Sequence, residues 1–392
     1  MIPVVLVILL GLAVVGIGLG VLKSRRPGFY RFMISYALQS VGRRRRVGGE
    51  VHLILCIADH FEPKFNGASP EVADARVDRW VREYPERFSG FRDSDGRPPR
   101  YSFFYPIDHY EPAHVEALAG LCRAGFGEIE VHLHHDEDSS ENLRATLLAH
   151  KELMAKRHGI ETRDRVTGES VYAFIHGDWA LDNSRPDGRC CGVNDELDVL
   201  RETGCYVDMT MPSYPSATQT RKINSIYYAT DDPRKPCSHD QGIDVGAGQA
   251  PKNSLLLIQG PLALDWSRPK WGIFPRIENG CLQGNQPARI ERVKAWLNAG
   301  VQVATRPDWY FVKLHTHGAP EGNQEALLGS PMVEFHKALA QRSEADSCFH
   351  FHYVTAREMV NLVKAAEAGW KGSVEEARDR YLVWTRQQAV VS

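Results

Sequence analysis

Beyond residue 50 the chain alternates short apolar, β-branched stretches with longer amphipathic segments, the pattern of a parallel sheet with crossover helices. Apolar runs at 51–57, 101–105, 128–134, 171–176, 205–209, 254–259, 310–315 and 348–354 predict strands. Helical periodicity falls between and after them, at 72–84, 113–124, 141–157, 195–202, 288–298, 332–341 and 356–368. Strands in this number and spacing predict an α/β fold and suit a single (β/α) barrel or a doubly wound sheet, with the chemistry in either case where strands run into the following loops; the architecture expected is an incomplete (β/α) barrel of about seven strands. The stretches 211–253 and 261–284 are rich in Pro and Gly and weakly periodic, so they read as loops over that mouth.

The first residues follow a different pattern. From Ile2 to Leu22 no residue is charged, and at a 1.5 Å rise about twenty such residues cross a hydrocarbon core of roughly 30 Å. This predicts one N-terminal transmembrane helix over 1–23, a basic juxtamembrane segment over 24–47 and one domain over 48–392. The positive charges follow the span, at Lys23, Arg25, Arg26, Arg31 and Arg43 to Arg46. The positive-inside rule then gives a single-pass membrane protein with a cytoplasmic domain. Residues 27–42, where Phe29, Tyr30, Phe32 and Tyr36 surround Arg31, read either as an interfacial helix or as a helix packed on the domain.

Composition narrows the classes. With 392 residues, 43% hydrophobic, 24% charged and a formal net charge of -2, the chain is ordinary globular protein. It lacks the basic excess of a nucleic-acid binder. The eight cysteines are scattered without paired zinc-type spacing and read as reduced thiols.

Candidate chemistry gathers at the predicted strand ends. In Glu128-Ile129-Glu130-Val131-His132-Leu133-His134-His135-Asp136, alternation puts Glu130, His132 and His134 on one face and Val131 and Leu133 on the other. Imidazole and carboxylate at that density suit a divalent ion: zinc first, with nickel, cobalt and iron also compatible. Cys56-Ile57-Ala58-Asp59-His60-Phe61 closes an apolar strand with two ionisable groups, where the alternative role for Asp59 is to cap the next turn. Phe174-Ile175-His176-Gly177-Asp178-Trp179 and Val312-Lys313-Leu314-His315-Thr316-His317 have the same form.

In their order these motifs resemble the NodB-type polysaccharide deacetylase superfamily, over approximately 51–354. Ile57-Ala58-Asp59-His60-Phe61 stands where that family has T-F-D-D-G, and Glu128-Ile129-Glu130-Val131-His132 stands at its E-I-x-x-H. The resemblance implies Asp59 as catalytic base and His60 and His132 as metal ligands. Asp136 occupies the next ligand position, where the family has histidine, so His134, His135 and Asp136 compete for it. The third motif lacks the family's arginine, which leaves Asp178 or His176 to orient the base. The Leu314-containing motif makes His315 or His317 the general acid. The implied function is metal-dependent removal of an N-acyl group from a sugar in a polysaccharide or lipid-linked glycan. The alternatives are a metal-dependent glycosidase of the same superfamily and a catalytically silent carbohydrate-binding barrel.

Overall fold

Apolar runs buried on both faces make the centre of this molecule, which a computed structural model describes over residues 28–42 and 49–386. The strands are β1 (Val51–His60), β2 (Tyr101–Pro106), β3 (Gly127–Leu133), β4 (Ile160–Asp164), β5 (Ser170–His176), β6 (Cys205–Asp208), β7 (Ile226–Thr230), β8 (Ile243–Asp244), β9 (Ser254–Ile258), β10 (Ala263–Lys270), β11 (Phe274–Glu278), β12 (Trp309–Thr316), β13 (Phe349–Tyr353) and β14 (Leu382–Arg386). The helices are α1 (Gly28–Gly42), α2 (Pro70–Phe88), α3 (Pro112–Arg123), α4 (Ser140–His158), α5 (Glu196–Thr203), α6 (Ile290–Ala299), α7 (Glu321–Leu328), α8 (Ser330–Ala345), α9 (Ala356–Glu367) and α10 (Val374–Ala377).

All strands but β10 and β11 join one twelve-stranded mixed sheet, whose main path runs β12-β1-β2-β3-β5-β6-β9-β7-β8. The pairings from β12 through to β9 are parallel, while β7 pairs antiparallel with β9 and β8 antiparallel with β7. β13 pairs with the first half of β1, and β4 and β14 extend the sheet from β5. The expected incomplete barrel of about seven strands is therefore corrected. Added antiparallel strands, formed within stretches whose sequence alternates too weakly to mark them, turn a short parallel array into a large mixed sheet.

The expected N-terminal transmembrane helix over 1–23 and the single-pass membrane location drawn from it are likewise corrected. Among the described residues no helix is long and apolar enough to cross a membrane, and 1–23 lies outside them. Of the two readings of 27–42, packing on the domain fits what is seen. In α1, Phe32 is fully buried against Tyr214, Ile223 and Leu262, and Arg31 donates to the Gln219 carbonyl.

Local signals set the helix starts. Ser69 caps α2 with Pro70 in its first turn, and Ser139 caps α4, which ends at Gly159 in the left-handed conformation. Thr355 and Glu358 form a reciprocal capping box at α9. The sheet's inward polar column is read most simply on β3. Glu128 pairs with Arg357 at 2.7 Å, Glu130 accepts from the Tyr206 hydroxyl at 2.6 Å, and His132 lies at the C-terminal end. Ile129 packs in the core shared with α3, and Val131 and Leu133 in the one beneath α4 and α5. A period of two thus delivers His132 to the edge where β1, β3 and β12 end together.

Candidate metal centre

Five histidines and a glutamate meet at that edge. β1 ends in His60, and the turn after it carries Glu62; both are buried. β3 contributes His132 and, one residue past its end, His134. β12 contributes His315, and His317 follows one residue after its end.

Glu62 is the hub. Its Oε1 lies 3.2 Å from His132 Nε2 and 3.7 Å from the Nε2 atoms of His134 and His317. The rings of His132 and His317 each stand 4.8 Å from that of His60. One ligand atom each from His60, Glu62 and His132 falls within 4.8 Å of the others. Burial drives the Glu62 carboxyl upward, but the hydrogen bond and charge interaction with His132 outweigh it and hold the group below the usual carboxylate range. Burial, with His317 and His132 beside it, keeps the His60 imidazole well below its ordinary value and so neutral.

The neighbours orient these rings. His132 Nδ1 meets the Ile175 carbonyl at 2.8 Å, which leaves Nε2 for Glu62. His134 Nδ1 lies 3.2 Å from both oxygens of Asp108. An imidazole held through one nitrogen presents the other in a fixed direction, the usual arrangement behind a metal ligand. His60 Nε2 is buried and has no hydrogen-bond partner among the described residues. A nitrogen left so beside a carboxylate and a second imidazole fits a divalent cation, and the donor set suits zinc or its neighbours. Trp179 closes the side, its ring 5.6 Å from those of His60 and His317. Its φ of 53° and that of Asp178, 52°, are left-handed, a conformation a bulky residue adopts only when its surroundings impose it.

The residues expected at the site divide. His60, His132, His134 and His317 are brought together. His315 lies behind them, buried on β12, its Nδ1 without a partner among the described residues. Burial, then Lys313, keep its imidazole well below the ordinary value. Asp178 is exposed at the rim and interacts electrostatically with His134 and His317.

Asp59 is sealed. It is fully buried, its Oδ1 accepts from Gly318 N–H at 2.7 Å and its Oδ2 from the Tyr101 hydroxyl at 2.9 Å. Burial lifts its pKa to about 7 against these two hydrogen bonds. Its direct contact is with the turn that carries His317. Asp136 is turned away, ion-paired with Arg189 and accepting from Cys190 N–H at 2.7 Å. His135 and His176 leave the cluster for another described below. Glu62 stands two residues after His60, and a glutamate before a proline in a turn carries no periodic signal that would mark it in the sequence.

An open cleft of about 530 Å³ reaches the centre, lined by Glu62, Lys64, Phe65, Asn66, Asp108 and His134. That volume is within the range of roughly 300–1,000 Å³ typical of small-molecule sites. A larger cleft of about 660 Å³, with Arg268, Lys270, Arg276 and Arg289 on its walls, includes none of the histidines.

Fold and site together define a mixed α/β protein with a histidine-carboxylate cluster at the C-terminal ends of parallel strands. No protein-family model matches the chain, and no curated protein matches it. Among solved structures it is similar to one from Mycobacterium smegmatis described as a "putative polysaccharide deacetylase", at 13% identity and a TM-score of 0.40, over 83% of this chain and 93% of that one. A likeness that low assigns neither fold nor activity to this chain.

Proposed function

We propose that the protein is a metal-dependent hydrolase that removes an N-acyl group from a sugar. The observation that carries this reading is the buried, partnerless His60 Nε2 beside Glu62 and His132. His60, Glu62 and His132 would hold the ion, with His134 and His317 within reach of the same carboxylate. A divalent ion held there supplies a Lewis acid for an amide carbonyl and lowers the pKa of water.

The chain's own groups do the rest. Asp178, exposed at the rim and facing His134 and His317, can exchange a proton with solvent; we assign it the base role. His317, two residues beyond the buried His315 and 22% exposed in its side chain, is the imidazole that can reach a leaving amine. Asp59 acts as a positioning residue, tying β1 to Gly318 and so fixing His317. Lys64, Asn66 and Asp108 offer hydrogen-bonding groups to sugar hydroxyls, and Trp179 and Phe65 offer apolar faces.

The test is release of acetate and free amine from a panel of N-acetylated oligosaccharides, by metal-loaded protein and by chelator-stripped protein. Both products are expected only from the loaded sample. New reducing ends without acetate would replace this reading with glycosidic cleavage, and no product of either kind from a loaded sample would end it.

A further inference from the structure

Four groups that the proposed reaction does not use converge just behind the first cluster. His135 follows His134 after β3, His176 ends β5, Glu196 begins α5, and Cys191 lies on the loop between them. Strand-like alternation turns His135 away from the side His134 takes. His176, Cys191 and Glu196 are fully buried, and the His135 side chain is 7% exposed.

The distances are short. His135 Nε2 is 2.9 Å from His176 Nε2 and 3.3 Å from Glu196 Oε1, which is 3.4 Å from His176 Nε2. Cys191 Sγ lies 3.4 Å from Glu196 Oε2. In a tetrahedral site with bonds of about 2.0–2.1 Å, neighbouring nitrogen and oxygen ligands stand roughly 3.3–3.4 Å apart.

The outer nitrogens decide what the inner ones can be. His135 Nδ1 lies 3.0 Å from Asp138 Oδ2, and His176 Nδ1 lies 2.5 Å from the Gly177 carbonyl. Both partners only accept, so both Nδ1 atoms carry protons. Two Nε2 atoms and a carboxylate oxygen then face one another, and one ligand atom from each of His135, His176, Cys191 and Glu196 lies within 4.8 Å of the others. Positive charge placed between them satisfies all three, and two sources compete for the place: a proton on His135, whose imidazole burial lowers but Glu196 and Asp138 raise above its ordinary value, and a metal ion. The carboxylate and carbonyl behind the rings repeat the arrangement that supports metal-bound imidazole elsewhere.

We propose that His135, His176, Glu196 and Cys191 form a second, structural metal site that takes zinc. The proposal is independent of the reaction assigned to the first cluster. Two nitrogens, one oxygen and one sulfur suit that ion, and a site with four protein ligands leaves no position for substrate. On binding, the Cys191 thiol gives its proton to water and the thiolate bonds to the ion. The site would pin the loop after β3, the end of β5 and the start of α5 together, and with them the backbone that carries His134 and Trp179.

The test is reconstitution of the chelator-stripped full chain with cobalt(II), read by total cobalt and by the near-ultraviolet thiolate-to-cobalt charge-transfer absorption. The parent should bind about two ions per chain and show the band. Cys191→Ser should lose the band, and His132→Ala, which removes a ligand of the first cluster only, should keep it. A parent with no band, as a proton shared between the two rings would give, overturns the second site. A band that survives Cys191→Ser also overturns it. A parent that binds one ion, with the band and with cobalt content indifferent to His132→Ala, keeps the second site and removes the first.

Discussion

Gly318→Ala is the sharpest probe of how the first cluster is held. A Cβ at position 318 would lie 2.1 Å from Asp59 Oδ2 and 2.9 Å from Trp80 Cζ2. Neither neighbour can retreat freely. Asp59 and Trp80 are fully buried, and Trp80 Nε1 donates to the Gly318 carbonyl at 3.0 Å. Overpacking of this kind costs about 1–3 kcal/mol, and loss of the Gly318 N–H bond to a carboxyl adds up to about 1.5–3 kcal/mol. The two costs share one displacement, so a net loss of about 3 kcal/mol is expected. The same displacement moves His317, and a shift on the order of 1 Å lowers turnover roughly a hundredfold. Gly322→Ala supplies the control: Gly322 is exposed on α7 with nothing within 4 Å of a new Cβ, and Ala there should stabilise by about 0.5–1 kcal/mol. Urea unfolding of both variants gives the free energies, and turnover on the same samples gives the activity. A Gly318→Ala loss below about 1 kcal/mol with turnover intact would refute the proposed role of Asp59.

Removing a first-cluster ligand by His132→Ala or Glu62→Gln should lower metal affinity by more than the roughly 10–100-fold that loss of a ligand's supporting partner costs, measured by competition with a chelator. Asp136→Asn should leave metal content unchanged, because that carboxylate serves Arg189; a loss of metal would return it to the site. Asp178→Asn should retain metal and fold while slowing turnover by at least about a hundredfold, the usual worth of a positioned base. An acid-stability test lies far from the site, at His336. Its buried imidazole, packed on Phe88 and Tyr353, has a pKa lowered by burial from 6.5 to about 3. The unfolded chain binds that proton first as pH falls, so the stability contributed by the neutral ring is present above pH 6.5 and is lost toward pH 3. The slope is at most about 1.4 kcal/mol per pH unit. His336→Gln should flatten the parent's decline between those limits, and an unchanged slope in urea midpoints would place the titration elsewhere.

The elements that frame the centre were legible because burial and period agree in them. Strands β1, β2, β5, β6, β9 and β12 carry mostly apolar runs, β3 and β13 alternate apolar with polar residues, and helices such as α2, α6 and α9 between and after them carry 3.6-residue patterns. The strands that change the architecture do not. β8 has two residues, both exposed, and β4 interleaves Ile160 and Thr162 with charged Glu161, Arg163 and Asp164. β10 and β11 form an exposed hairpin carrying Trp266, Trp271 and Phe274, which reads as loop when judged by polarity. Strand ends marked where His60, His132, His134 and His317 stand, while the roles read for His60, His132 and His317 came from the resemblance, with His317 read as an acid and not as part of a metal cluster. The turning away of Asp136 was not legible, because spacing says nothing of Arg189, which arrives from 53 residues away in sequence. Asp59 and His60 were separated only by packing: adjacent residues face opposite ways, one into Tyr101 and Gly318, the other toward His132.

The charge balance at the first cluster explains why so many imidazoles surround one carboxylate. Among the described residues the ion-pair partners of Glu62 are His132, His134 and His317, with no lysine or arginine. Lys313, the buried ammonium on β12, is engaged by the carbonyls of Met209 and Met211 instead, and burial lowers its pKa to about 8. A buried carboxylate without a fixed cation is costly, and neutral imidazoles repay that cost only by hydrogen bonding. Burial first, then neighbouring imidazoles, keep His60 and His317 below the ordinary imidazole value, so a proton on the cluster falls to His134, which burial lowers but Asp108 and Glu62 raise, and His60 Nε2 is still left without a partner among the described residues. A divalent ion satisfies every member at once, since each Nε2 becomes a donor of electron density and Glu62 gains its counter-charge. The same reasoning accounts for Asp108: its carboxyl, held down to about 2 by His134 in spite of burial, adds negative charge behind a ring and makes that ring a better ligand. Asp108→Asn would keep the hydrogen bond and remove the charge, so it should weaken metal binding less than His134→Ala does.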